Sequence, residues 1–203
     1  MSRYRGSRLR IVRRLGKLVA FTNKISKKIN PPGQHGSITN KKPSQYKVRL
    51  KEKQKLRFYY GVSERQLFNY LKKARKKKGS SGKEILNLLE MRLDNIVYRL
   101  GFCPTIVSAR QLIVHGHVLV DNVLVNIPSF SCKPGNVIQI KSSDNSRNFV
   151  KKNLEDSRGS SVPSHLFLNA AKLEAKVVSR VDLTSLNLII NELLVVEYYS
   201  LKI

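Results

Sequence analysis

Arg110, Gln111, His115 and His117 fall within the eight residues "RQLIVHGH" and bring guanidinium, amide and imidazole groups to one short stretch. Neither histidine stands beside an obvious catalytic or metal-binding partner. What the four offer is hydrogen bonding and partial positive charge, the means of recognition more than of turnover. Two kinds of element must position them. Ala109, Leu112 and Ile113 keep helical spacing, and Thr105 can cap a helix that runs to His115. After Gly116 the pattern turns to "HVLV", "DN", "VLVNI", a tight hairpin, and "KPGNVIQIK" adds a turn and a third strand. A glycine at the junction permits the sharp change of direction. The plainer alternative makes His115 an ordinary helix cap and His117 a surface strand residue.

Charge weighs on that choice. The 203 residues carry 39 Lys/Arg against 13 Asp/Glu, a formal net of +26. Residues 1–78 hold 25 of those cations and only two acids, Glu52 and Glu64, a net of +23; residues 79–203 carry +3. A folded surface gains nothing from such self-repulsion, so a polyanionic partner is implied. No apolar run approaches the ~18–20 residues that span a bilayer, which puts nucleic acid ahead of membrane. Donors gathered at a helix–strand corner suit backbone phosphates and 2′-hydroxyls, so RNA is the expected ligand. Cys103 and Cys132 are 29 positions apart with no CxxC and read as two reduced, buried thiols. The acid-free, Arg-rich first 20 residues resemble an organellar presequence in composition; they have no h-region, which argues against secretion.

Met1–Phe21 interleaves Leu9, Ile11, Val12, Leu15 and Leu18 with its arginines. Thr22–Ser44, with "NPPGQHG" and "TNKKPS", predicts an irregular connector ordered by a partner. "YKVRLKEKQKLRFYY" predicts a helix over 46–60 stopped by Gly61. Ser63 and Gln66 have capping-box spacing ahead of a helix with Leu67, Phe68, Leu71 and Ala74 on one face. Ser81 and Glu84 offer a second box, followed by helical spacing to Leu100, either one helix or two broken near Met91. Residues 142–185 are loop-like and predict no element. The apolar blocks of "LNLIINELLVVEYYS" must be buried, the earlier helices being candidates.

The run "RLDNIVYRLGF" (92–102) followed by "ARQLIVHGHVLVDN" closely resembles the RNA-binding module named after small-subunit ribosomal protein four. "MSRYRGSRLRIVRRLG", "SQYKVRLKEKQKLRFYYGVSERQL" and "INELLVVEYYS" resemble the remainder of that ribosomal family, in its plastid type. The resemblance covers residues 1–18, 44–141 and 186–200. It implies an α+β fold: a mostly helical N-terminal domain, an inserted small α/β RNA-binding module of two helices followed by a short antiparallel sheet, and a C-terminal segment returning to the helical domain. The expected division is a basic segment and connector at 1–44, the helical domain at 45–91 completed by 186–203, the module at 92–152, and a variable loop-rich region at 153–185.

The resemblance further implies a non-enzymatic constituent of the small ribosomal subunit that docks on the 5′ domain of small-subunit ribosomal RNA. It would nucleate assembly of the subunit body and contribute to translational accuracy. The fifth and twelfth small-subunit proteins and the path by which mRNA enters would lie nearby, on a plastid ribosome or, alternatively, a bacterial or mitochondrial one. No cofactor, membrane or small-molecule substrate is implied; some bacterial members bind zinc through N-terminal cysteines, which this chain lacks, so no metal is expected. Carried over by position, Arg92, Asp94 and Asn95 match the start of the module's first helix, and Arg110, Gln111, His115 and His117 its second helix and turn. Arg3, Tyr4, Arg5, Arg8, Arg10, Arg13 and Arg14 fall in the first RNA-facing block, Gln45, Tyr46, Arg49, Lys53, Lys55 and Arg57 in the second, and Arg65 on the basic face that follows. All but Asp94 are expected at RNA; a carboxylate there would repel phosphate, so Asp94 is expected to orient an arginine. Plastid members often carry a basic residue at the position of Gly116 and Asn-Gly at that of Asp121-Asn122, so this hairpin tip is less positive. The alternative, an RNA-modifying enzyme or ribosome-associated factor with the same module, would need a catalytic domain of ~150–200 residues for which no room remains. A DNA-binding regulator would want a recognition helix at a dimer interface, whereas the basic faces here are spread over several segments.

Overall fold

A computed structural model describes residues 4–36, 42–156, 162–182 and 190–200. In chain order its elements are α1 (Arg8–Leu15), α2 (Gln45–Tyr59), α3 (Glu64–Arg75), α4 (Ser81–Glu90), α5 (Leu93–Arg99) and α6 (Ile106–Val114). There follow β1 (Val118–Val120), β2 (Val123–Leu124), β3 (Val137–Ile140), α7 (Asp144–Asp156), β4 (Leu166–Asn169), β5 (Glu174–Val177) and α8 (Glu192–Ser200). The fold is α+β. Two units divide it, residues 1–82 with 189–203 and residues 83–188.

In the first unit, local devices set the helix ends. Ser44 Oγ accepts from Lys47 N at the start of α2, and Gly61, at φ +59°, follows its end. Ser63 and Gln66 close the capping box in both directions ahead of α3, whose Leu67, Leu71 and Ala74 are fully buried. α4 begins at Ser81 itself, so this serine is not the cap that the sequence spacing predicts. Leu15, Leu18 and Phe21 form a small core with Ile11, Phe58 and Tyr59. The described part of the connector is irregular and is pinned by Arg13, whose guanidinium donates to Asn30 O (2.8 Å) and Pro31 O (3.3 Å). The C-terminal apolar block returns as α8 against α2. Its Val195, Tyr198 and Tyr199 are buried, each side chain contributing about 1.5–3 kcal/mol. Arg49 donates to Glu197 at 2.8 Å along the same seam.

In the second unit the helical spacing of 85–100 proves to be two helices, broken at Met91-Arg92. The break is held by the segment before β3: Leu93 N donates to Phe130 O, Asp94 N to Pro128 O and Cys132 N to Met91 O. Its backbone groups are thereby paired although no helix continues through them. Thr105 caps α6, and at its other end His117 N donates to Leu112 O and Gly116 N to Ile113 O. These two bonds make a Schellman motif, and Gly116 supplies the left-handed residue it requires (φ +73°). Asp121 (φ +50°) and Asn122 (φ +65°) form the primed two-residue turn between β1 and β2. The Asp121 carboxylate also accepts from Val137 N and Asn136 Nδ2, tying that turn to β3.

All strand pairings are antiparallel, in the order β2-β1-β3-β5-β4. Val118, Val120, Ile138, Ile140, Ala175 and Val177 alternate onto the buried face with Leu93, Ile96, Ala109 and Ile113 of the helices. This differs from the sequence reading, in which 142–185 predicts no element and 153–185 is loop-rich. The described residues of 142–185 include α7 and two strands of the same sheet, and Val150 of α7 lies in the same core. The reason is non-local: β5 is a strand because it pairs with β3 (Ile138 opposite Ala175), and few apolar residues announce it.

Candidate nucleic-acid interface

Arg3 lies outside the described residues. Arg5, Arg10 and Arg14 are exposed, and Arg10 and Arg14, four apart on α1, share one face. Gln45 and Arg65 are exposed as well. Their neighbours in sequence are committed to the protein. Tyr4 sets its ring edge against Phe58, while Arg8 covers the Phe21 ring and donates to its carbonyl. The Tyr46 ring faces that of Tyr198, though half of Tyr46 is exposed. Lys55 pairs with Glu52 at 2.6 Å, and Arg57 covers the Phe58 ring.

Lys53 is 4% exposed, bonds Glu64 at 2.8 Å and lies over the Tyr198 ring. It is a structural cation, and this corrects its expected place at RNA. Burial raises the Glu64 pKa, but the hydrogen bonds from Lys53 and Tyr199 with the charges of Lys53 and Arg57 outweigh it and hold the carboxyl below the usual range.

The second correction is at Arg92 and Asn95, 2% and 1% exposed. Arg92 meets Asp94 bidentately, Nε to Oδ1 at 3.0 Å and Nη2 to Oδ2 at 2.8 Å. Asn95 donates to the backbone and side chain of Glu90, which also binds Arg99 at 2.7 Å. Buried cations survive only when paired and hydrogen-bonded, and these are. Asp94 accepts from Arg110 Nε at 2.7 Å as well, so one carboxylate orients two arginines. The cluster keeps a net positive charge, carried to the rim by Arg110, whose side chain is 18% exposed.

Gln111 of α6 and His115 at its C-cap are exposed, and the rings of His115 and His117 lie 6.1 Å apart. Ser146 Oγ of α7 bonds His117 Nδ1 at 2.9 Å and fixes that ring. Gln111, His115 and His117 line a groove of about 230 Å³ with Ser108, Leu112 and Phe149. The sequence reading misses Ser146 and Phe149, because the helix that carries them has little apolar periodicity. Cys103 and Cys132 are buried thiols whose pKa values burial pushes up to about 12, which makes them inert at neutral pH. Among the described residues no group of His, Cys, Asp or Glu could hold a metal, and no helix is long and apolar enough to cross a membrane.

Residues 3–90 match the family described as ribosomal protein S4/S9 N-terminal domain, and residues 91–138 match the S4 domain. The chain is 57% identical to small ribosomal subunit protein uS4c of Euglena gracilis over 205 residues, covering all of both chains. It is 55% identical to uS4 of Thermosynechococcus vestitus and 54% identical to uS4c of Nephroselmis olivacea, each over 203 residues and again all of both chains. A buried arginine clamp, an exposed basic helix and a donor-rich helix–strand corner thus stand in a chain that belongs to the uS4 family of small ribosomal subunit proteins.

Proposed function

We propose that the protein is a structural constituent of the small ribosomal subunit that binds its RNA directly, docking on the 5′ domain, nucleating assembly of the body and supporting translational accuracy. One observation carries the reading: the first unit holds 26 Lys/Arg against four acids, with Arg5, Arg10, Arg14 and Arg65 exposed. Only a dense polyanion stabilises such a surface. Phosphate contacts from these arginines supply affinity; Arg110, Gln111, His115 and His117 add a second grip that reads backbone shape. The fifth and twelfth small-subunit proteins and the path of incoming mRNA are its neighbours. The relatives named uS4c, together with the cyanobacterial ones, favour a plastid ribosome.

Binding of the full chain to small-subunit ribosomal RNA, titrated from low to physiological salt, tests the proposal. With about 6–10 phosphates neutralised, affinity falls steeply, by about 10³–10⁵ between 50 and 200 mM salt. A flat salt dependence, or a chain that sediments apart from small ribosomal particles, overturns it.

A further inference from the structure

We propose that the groove between α6 and α7 seats one unpaired nucleobase, stacked on Phe149 and hydrogen-bonded at its edge by Gln111, His115 or His117. The inference rests on the RNA-binding reading and assigns it a site. Phe149 is 42% exposed, although its helix anchors in the core through Val150, at 0%, and Ser146, at 4%. An aromatic ring facing outward on an otherwise polar helix contributes little to the fold. It lies beyond residue 138, where the S4-domain match ends.

The groove's size and chemistry choose the occupant. About 230 Å³ is smaller than the roughly 300–1,000 Å³ of a site for a cofactor or drug-sized ligand, so a single ring system is what fits. The Ser146 hydroxyl takes Nδ1 of His117 and sets the ring plane, while Nε2 remains as the imidazole's other polar atom. Gln111 brings a donor and an acceptor on one amide, the pair that reads a base edge. Lys152, exposed and one turn beyond Phe149 on the same helix, puts a cation where the flanking phosphate would run. An aromatic platform, an amide and a basic rim together are the composition that holds single-stranded RNA, whose bases can be splayed out and stacked.

The test measures binding of the full chain and its variants to small-subunit ribosomal RNA across a range of salt. Phe149→Leu keeps the bulk and removes the π face; it is expected to weaken binding about tenfold at every salt concentration without changing the salt slope, because a stack neutralises no phosphate. Phe149→Trp is expected to bind as tightly as the parent chain. In assembled subunits, a benzophenone amino acid at position 149 is expected to crosslink to RNA. Undiminished binding by Phe149→Leu, or a crosslink to a neighbouring protein, overturns the site while leaving the RNA-binding reading intact. A parent chain that shows no steep salt dependence overturns both.

Discussion

The two units use the same residue type in opposite ways. The first carries a net +22 and leaves Arg5, Arg10 and Arg14 at the surface; the second carries +4 and draws Arg92 inside against Asp94. An exposed arginine adds almost nothing to stability and adds directly to the attraction of a polyanion. A buried one contributes nothing to that attraction, yet removing its partner leaves a charge stranded in a low-dielectric interior. What separates them is a carboxylate within reach. Stability in the second unit therefore hangs on its acids, while affinity in the first hangs on its many cations.

The sharpest way to break that contrast is Asp94→Asn. It removes the charge that Arg92 and Arg110 share, and the second unit is expected to lose about 3–5 kcal/mol in denaturant titration. A loss below 1 kcal/mol would mean that Arg92 finds solvent or another acceptor, and burial would not be the distinguishing feature. Next in size is the double variant Arg10→Ala/Arg14→Ala. Its stability is expected to stay within about 0.5 kcal/mol of the parent. Its affinity for small-subunit RNA is expected to fall roughly 10- to 100-fold, as for two charge-assisted contacts. The salt slope should shrink by nearly two units. An unchanged slope would remove α1 from the interface.

Lys53→Met refines the contrast inside the first unit. Lys53 is as buried as Arg92, but its acid is not: the Glu64 side chain is 44% exposed and keeps the Tyr199 hydroxyl at 2.8 Å. The methionine keeps the apolar stem, and the remaining carboxylate has water and Tyr199. A cost of about 1 kcal/mol or less is expected from thermal or denaturant unfolding. A cost near that of Asp94→Asn would mean that depth of the cation alone sets the energy.

Legibility in the sequence follows range. Devices that act over a few residues can be read directly: the Ser63–Gln66 box, Gly61 after α2, the Asp121-Asn122 turn, the Thr105 cap and the Gly116 corner. The break at Met91-Arg92 cannot, because residues 128–132 make it from some forty positions away. Nor can β4 and β5, which are strands only once β3 is beside them. The family is legible from its runs of residues, and so is the charge that implies RNA. Which arginines touch it is less so, since Arg92 and Arg10 are alike as letters. The acids carry the missing signal. Glu52 and Glu64, alone among 25 cations, each pair with a lysine, while Asp94 binds Arg92 and Arg110 and Glu90 binds Arg99. In a polycation, a carboxylate near an apolar run marks the cations that serve the fold.

His165 differs from the paired charges of the second unit. It is 1% exposed, and neither ring nitrogen has a hydrogen-bond partner among the described residues. Burial lowers its pKa; the charge of Glu90 pulls the other way and that of Arg99 reinforces the shift. A histidine whose folded pKa lies below the unfolded one gives stability that is fully present above the unfolded value, about 6.5, and is lost as pH falls toward the folded one. The unfolding free energy of the second unit is therefore expected to be flat above about pH 7 and to decline as pH falls below about 6.5. His165→Phe, which replaces an unsatisfied ring by an apolar one of similar shape, is expected to raise stability at pH 7.5 by about 1 kcal/mol and to flatten that decline. If the variant is less stable and keeps the full acid slope, an ordered water satisfies the imidazole, and the second unit has no unpaired polar side chain at His165 after all.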